Sequence, residues 1–520
     1  MVDNAHISFD WLERRNELSP EKEALIDVYT GRRFTYREFN ERANKLANSW
    51  RQAWGIKKGD RVAILAKNCP EYLEALFAAA KIGAILVPIN IRLAGPELTY
   101  IISDSKPKVL MLGEDFLEVM APVREEINIL NYLLLDGAKA EGMIPYETFL
   151  DSGDSRPPDL EEPNSLDDPQ VILYTSGTTG YPKGAIQTHG NILFNSLNAN
   201  LALDIVSTDL TLTGLPLFHT GGLHVMTTPT LHAGGSVVIQ RSFDPGEALK
   251  LIHEKRVNTV FFVSTMWQFM CQHEDFEKTD FSSLRLAWTG GAPCPIAVID
   301  AYQAKGVPFR QGYGLTEVGP DAMILPAEDA VRKAGSIGKP PFHSALRVVN
   351  EEDFDVFAGE VGELIFRGPT VTPGYWNRPE ETAEALKGGW FHTGDLGYMD
   401  EDGYVFLVDR KKDMFISGGE NVYPVQIEKV IYEHPKVAEA AVFGVQDEKW
   451  GEVGHAVICP KAGESLTQQE IIDFLQGKIS RFKIPKSVSF METLPRNPAG
   501  KVLKRVLRGS YSKDMDKRVH

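Results

Sequence analysis

Apolar and polar positions in the first part of the chain switch repeatedly between helical and strand spacing. Thr35-Tyr36-Arg37-Glu38-Phe39 opens an amphipathic helix, and the Thr35/Glu38 spacing predicts a capping box that satisfies the first free N–H groups. Gly59-Asp60 punctuates the chain before the apolar strand Arg61-Val62-Ala63-Ile64-Leu65. Pro70-Glu71 starts a helix rich in Leu and Ala that ends near Gly83, ahead of the strand Ala84-Ile85-Leu86-Val87-Pro88. The rhythm returns at Gly235-Ser236-Val237-Val238-Ile239 and at Thr259-Val260-Phe261-Phe262-Val263. Repeated βα order with wholly apolar strands predicts a parallel sheet covered by helices, an α/β fold.

Between Asp151 and Gln170 the chain is rich in Asp, Glu, Ser and Pro, and reads as a surface connection. From Arg347 to Phe366 short alternating strands take over, with turns at Glu351-Glu352-Asp353 and Glu360-Val361-Gly362. Another hairpin centres on Asp400-Glu401-Asp402-Gly403, so this region predicts a smaller β subdomain. After Asp409-Arg410 the pattern changes to a compact α+β segment. The division expected is a large domain over 1–409 and a small one over 410–520.

The segment Tyr174-Thr175-Ser176-Gly177-Thr178-Thr179-Gly180-Tyr181-Pro182-Lys183-Gly184 carries the strongest chemical signal. It sets four Ser/Thr hydroxyls, three glycines and one lysine directly after the apolar Val171-Ile172-Leu173. Glycines let backbone N–H groups converge on an anion, hydroxyls donate to its oxygens, and the lysine adds positive charge. The order departs from the common nucleotide P-loop, because Gly184 rather than Ser or Thr follows Lys183.

At 520 residues the chain is too long for a single core. A net charge of −16 argues against general nucleic-acid binding, which needs a positive field. From Lys411 onward, however, 18 Lys and Arg outnumber 14 Asp and Glu, so the acidic balance belongs to the preceding part. Cys69, Cys271, Cys294 and Cys459 lack metal-ligand spacing and read as reduced thiols. With no signal peptide and no membrane-spanning apolar run, a cytoplasmic protein is expected.

Further segments complete a constellation. They are Leu215-Pro216-Leu217-Phe218-His219-Thr220-Gly221-Gly222, Gln311-Gly312-Tyr313-Gly314-Leu315-Thr316-Glu317, and Trp390-Phe391-His392-Thr393-Gly394-Asp395-Leu396-Gly397. Asp409-Arg410-Lys411-Lys412-Asp413, Ser417-Gly418-Gly419-Glu420-Asn421-Val422-Tyr423-Pro424 and Leu494-Pro495-Arg496-Asn497-Pro498-Ala499-Gly500-Lys501 follow. Each alone is compatible with turn chemistry. In this order they resemble the adenylate-forming superfamily, which comprises acyl-CoA synthetases, luciferases and peptide-synthetase adenylation domains.

The resemblance implies a large N-terminal domain of two βαβ-layered halves and a β subdomain, with a small, mobile C-terminal domain. It implies an AMP-forming acyl-CoA synthetase whose co-substrates are ATP and CoA and whose cofactor is Mg²⁺. Thr175, Ser176, Gly177, Thr178, Thr179 and Lys183 would cradle the β- and γ-phosphates. Gly291, Ala292, Pro293 and Tyr313 would flank the adenine, Thr316 would touch the α-phosphate, and Glu317 would help hold the metal. Asp395 would take the ribose hydroxyls with Arg410 nearby. Lys501 is the candidate for the main adenylation residue, since a lysine reaching carboxylate and phosphate oxygens positions the attack and offsets developing charge. Lys412 matches the hinge, and Gly418-Gly419-Glu420 the loop that lines the CoA side. Arg481, Lys483 and Lys486 are candidates to meet CoA phosphates, although a solvated face explains each singly.

For the acid, Gly314 stands where acetate-specific relatives carry tryptophan, which disfavours acetate. His219 is counted with Thr316, Glu317 and Lys501 as a catalytic candidate and as a pocket residue, together with the candidate walls Val263, Trp267, Trp288 and Val318. Core packing would use the same residue types. The substrate expected is a medium- or long-chain fatty acid, or an aromatic or alicyclic acid. Two other readings stay open: a free-standing acyl-AMP ligase that loads a carrier protein, and a non-catalytic nucleotide-binding scaffold. The latter predicts losses at Lys183, Glu317, Asp395 or Lys501, none of which is lost. A homodimer is compatible with the resemblance.

Overall fold

The computed structural model describes residues 10–129, 131–137, 139–160, 162–175, 182–291, 294–411, 413–417, 420–447, 449–496 and 502–518, with backbone alone at 410, 420, 421 and 512–518. The chain divides into two compact units, one formed by 1–345 with 366–391 and the other by 346–365 with 392–520.

The larger unit is built on two mostly parallel sheets. One runs, edge to edge, through Gly319–Ile324, Phe309–Leu315, Leu286–Gly290, Thr259–Val263, Leu210–Thr213, Ser236–Ile239, Glu23–Asp27 and Arg33–Thr35. The other runs through Ile144–Pro145, Asn131–Leu134, Val109–Leu112, Arg61–Leu65, Ile85–Pro88, Pro169–Thr175 and Lys183–Thr188. Each sheet ends in an antiparallel hairpin at the edge that carries candidate chemistry, Pro169–Thr175 with Lys183–Thr188 and Phe309–Leu315 with Gly319–Ile324.

Local signals explain the helices between the sheets. Helix Tyr36–Trp54 starts at the expected capping box, where Glu38 N–H donates to Thr35 Oγ1 at 3.2 Å and Thr35 N–H donates to Glu38 Oε2 at 2.8 Å. Helix Pro70–Ile82 has proline in its first turn and ends at Gly83, whose φ of 65° is the left-handed cap that glycine adopts without strain. All of its residues are buried, because its neighbours in the core come from both sheets: Ile64, Leu86 and Val171 of one, Leu25, Val237 and Ile239 of the other. A second core around Trp267, Tyr302 and Phe309 fills the opposite face of the longer sheet.

In the smaller unit a sheet of five strands pairs Glu420–Val422, Phe415–Ser417, Gly451–Pro460 and Val437–Asp447, with Ser487–Phe490 added beside Gly451–Pro460. Helices Pro424–Ile431 and Gln468–Leu475 cover it through Ile427, Ile431, Ile471 and Leu475. The strands Gly362–Arg367, Phe391–Met399 and Val405–Arg410 belong to a four-stranded sheet with Ala345–Val349, which is the β subdomain expected from the short alternating pattern. Among the described residues no helix is long and apolar enough to cross a membrane.

Candidate active site

The phosphate-loop sequence joins two strands of one hairpin, and the register sets Thr175 opposite Lys183. Ser176, Gly177, Thr178 and Thr179 lie outside the described residues. This arrangement differs from a nucleotide P-loop, where a helix follows the loop and offers its N-terminus to the anion. Strand Lys183–Thr188 follows here instead, so no helix N-terminus directly follows the loop.

Gly184 permits a close approach at this point: a Cβ on it would fall 2.6 Å from Ile172 Cγ2 and 3.3 Å from Trp376 Cβ. Trp376 N–H donates to the Gly184 carbonyl at 2.7 Å, and Ile186 N–H donates to the Gly374 carbonyl at 3.1 Å. The segment Gly374-Tyr375-Trp376 therefore runs along the free edge of strand Lys183–Thr188 and brings in Tyr375.

Thr316 and Glu317 sit at the turn of the other hairpin. Both are buried, and the carboxylate of Glu317 is the meeting point of three segments. Its Oε1 accepts from the Thr175 hydroxyl at 3.2 Å and from the Tyr375 hydroxyl at 3.2 Å. Its main-chain carbonyl accepts from Thr372 N–H at 2.7 Å, which ties the turn to the same edge segment. Lys183 Nζ lies 5.4 Å from the centre of the Tyr375 ring, within cation–π range. Burial, then the charge and hydrogen bond of Glu317, pushes the Tyr375 phenol upward. Of the sequence candidates, the larger unit thus brings together Thr175, Lys183 and Glu317.

Thr316 is linked to the histidine segment through Gln187, whose Nε2 donates to the Thr316 carbonyl at 3.4 Å and to Thr220 Oγ1 at 3.5 Å. His219 caps the short helix Thr220–His224, its Nδ1 accepting from Gly221 N–H at 3.1 Å. That bond requires an unprotonated Nδ1, and burial lowers the imidazole to about 4. His219 is therefore neutral at physiological pH and presents Nε2–H.

The remaining pocket candidates separate. Val263 is half-buried at a strand end, with its Cγ1 3.6 Å from where a Cβ on Gly291 would stand. Trp267 packs in the core: its ring is fully buried against Phe262, Tyr302 and Phe309, and its indole N–H donates to the Trp288 carbonyl at 3.3 Å. Val318 is buried as well. Gly314 does not face open space, since a Cβ there would fall 2.0 Å from the Pro320 carbonyl oxygen. A small cavity of about 10 Å³ lies beside the histidine corner, lined by Leu215, Gly221, Gly222, Met226, Thr227 and Phe261 among others. Tyr313 stacks on Phe366 at 6.2 Å between ring centres, and Gly291 turns the chain with a φ of 79°. Ala292 and Pro293 lie outside the described residues.

In the smaller unit the strand register pairs Asp395 with Arg410. Asp395 is buried, and its N–H donates to Thr393 Oγ1 at 3.0 Å. Glu420 pairs with Ser417 in a short hairpin, while Lys412, Gly418, Gly419 and Lys501 lie outside the described residues. In the basic tail, Lys504 is structural: its Nζ lies 2.8 Å from Glu428 Oε1, both side chains nearly buried.

Sequence reasoning missed Tyr375 and Gln187. Gln187 had a faint signal, a polar residue at an inward position of a strand whose neighbour Ala185 is apolar. Tyr375 had none, because its role arises only when its segment adds to a distant strand edge. Among the described residues no group of three or more His, Cys, Asp or Glu could hold a metal ion. The donor set nevertheless suits Mg²⁺, which characteristically takes one or two carboxylates and completes its shell with water and phosphate oxygens.

Comparison with known proteins yields two family matches: AMP-binding enzyme over residues 12–376 and AMP-binding enzyme C-terminal domain over residues 426–501. The chain is 42% identical to a feruloyl-CoA synthase of an Amycolatopsis species, covering 96% of this chain and 98% of that one. It is 39% identical to the long-chain-fatty-acid–CoA ligase FadD13 of Mycobacterium tuberculosis, covering 97% and 99%. The crystal structure of ATP-bound MatB from Rhodopseudomonas palustris superposes with a TM-score of 0.88 at 32% identity, covering 97% and 99%.

Proposed function

The chain belongs to the AMP-binding enzyme family and is an AMP-forming acyl-CoA ligase, and from that premise we propose how its residues divide the work and which acids it takes. The observation that carries the reading is the convergence of Thr175, Lys183 and Glu317 from two separate hairpins. The overall reaction joins a carboxylic acid to CoA at the expense of ATP, giving AMP and pyrophosphate through an acyl-adenylate.

In this reading Lys183 and the hydroxyls of Thr175, Ser176, Thr178 and Thr179 hold the β- and γ-phosphates. Glu317 holds Mg²⁺, which when bound offsets the phosphate charge. Thr316 lies at the α-phosphate, Gly291-Ala292-Pro293 and Tyr313 at the adenine, and Asp395 and Arg410 at the ribose. Lys501 meets the acid's carboxylate and the α-phosphate, where its ammonium offsets the charge that builds as the carboxylate attacks phosphorus. Lys412 then serves as hinge, and Gly418-Gly419-Glu420 lines the path of the CoA thiol. His219, kept neutral by burial, borders the acyl site without placing a charge against hydrocarbon.

The acid is an apolar one, a medium- or long-chain fatty acid or an aromatic or alicyclic acid. The aromatic and long-chain fatty acids named for the two relatives above support this range. The test is a panel of carboxylic acids assayed for ATP-dependent AMP release with and without CoA. Turnover is expected with apolar acids, only in the presence of CoA, and poorly with acetate. Release of acyl-AMP without any response to CoA would instead favour a carrier-protein acceptor. Lys501→Ala is expected to abolish acyl-AMP formation while supplied acyl-AMP still transfers to CoA; equal loss of both steps would remove the lysine from its role.

A further inference from the structure

Tyr375 lies in none of the segments to which the sequence assigns chemistry, yet it touches two of the residues that those segments deliver. Its backbone is clamped on both sides. Tyr375 N–H donates to Thr382 Oγ1 at 2.9 Å, and Trp376 Nε1–H donates to the Asp104 carbonyl at 3.3 Å. Arg378 donates to the Tyr100 hydroxyl at 2.6 Å and lies 3.5 Å from Asp104. Tyr100 in turn donates to the Pro182 carbonyl at 3.3 Å, so helix Gly95–Ser105 holds both this segment and the residue before Lys183. The ring consequently has a defined place, its hydroxyl 3.2 Å from Glu317 Oε1 and its face toward Lys183 Nζ.

We propose that Tyr375 is a positioning residue for metal-bound nucleotide: its hydroxyl orients the Glu317 carboxylate toward Mg²⁺, and its ring keeps the Lys183 ammonium ready for phosphate. The inference rests on the ATP-site reading above. A free lysine side chain has many rotamers, and ordering it on binding costs affinity. An ion pair with Glu317 would order it too, but would occupy the carboxylate that the metal needs. An aromatic face attracts the ammonium without consuming a carboxylate. The hydroxyl meanwhile fixes one carboxylate oxygen together with Thr175.

Calorimetric titration of the full chain, without acid substrate, separates the two contacts. MgATP is titrated in one series and ATP with EDTA in the other, for the wild type, Tyr375→Phe and Tyr375→Leu. Phenylalanine keeps the ring and loses the hydroxyl, so it is expected to weaken MgATP about tenfold while metal-free ATP changes less than about twofold. Leucine loses both contacts and is expected to weaken both ligands. Equal weakening of both ligands by phenylalanine, or no weakening of either, overturns the proposal while leaving the ATP site intact. A wild type that binds no MgATP overturns the site reading and this inference with it. Should the leucine variant fail to fold, the phenylalanine series decides alone.

Discussion

His224 provides a quantitative test of the interior beside the candidate site. It ends the short helix that His219 caps, and its side chain is 1% exposed. Nδ1 lies 3.0 Å from Thr228 Oγ1, while Nε2 has no hydrogen-bond partner among the described residues. Burial lowers the imidazole from 6.5 to about 3, because the charged form would lose its hydration without gaining an acceptor. A depressed histidine favours the folded state only while neutral. Its contribution is complete above pH 6.5 and drains away as the pH falls through the window from 6.5 to about 3. Between pH 7.5 and 5.0 the unfolded chain gains nearly one proton that the folded chain refuses, which amounts to about 2 kcal/mol. That is a large part of a typical total stability of roughly 5–15 kcal/mol. His224→Asn removes the titrating group while keeping a polar atom near Thr228. Urea unfolding of both proteins at the two pH values should show the variant losing about 2 kcal/mol less on acidification. His189 and His219 are also held near 4 by burial, but they act equally in both proteins and cancel. Identical pH dependence in wild type and variant would refute the reasoning, as would a His224 resonance titrating above pH 5 in the folded protein.

Two further expectations follow from the same packing, and a third from the proposed hinge. Trp267→Ala should cost about 3–5 kcal/mol in unfolding experiments and leave the ranking of acid substrates unchanged, since the indole fills the core; an altered acid profile with unchanged stability would make it a pocket wall after all. Gly314→Ala should disturb the hairpin that carries Glu317, because its Cβ meets the Pro320 carbonyl, and lower turnover with every acid; full activity of the variant contradicts the tight fit. Lys412→Pro should slow transfer to CoA while sparing adenylation, measured as separate half-reactions; unchanged transfer counts against a hinge at this residue.

Thr175, Lys183, Glu317 and Asp395 stood out because each lies in a short segment whose residue types suit anion, metal or diol binding, and the structure brings the first three together. Much of the fold was equally legible. The Thr35/Glu38 box and the Pro70 and Gly83 caps are interactions between near neighbours, so their residues specify them locally. Wholly apolar runs such as Val62–Leu65 could only be buried strands between helices, and that is where they stand. The pocket was the weak point. Val263, Trp267 and Val318 are apolar residues of the same segments, and composition does not tell a cavity wall from a core residue. Only the packing of Phe262, Tyr302 and Phe309 around Trp267 assigns it to the core.

What the sequence determined, then, was the set of elements and the kinds of chemistry, because helix caps, strand periodicity and loop composition act over a few residues. What the tertiary structure decided was which groups meet. The Glu317 carboxylate is reached from Thr175 and Tyr375, 142 and 58 residues away along the chain. No local propensity encodes such a contact. It arises because two hairpins at the edges of different sheets, and a segment added to one of those edges, satisfy their backbone hydrogen bonds in a single arrangement.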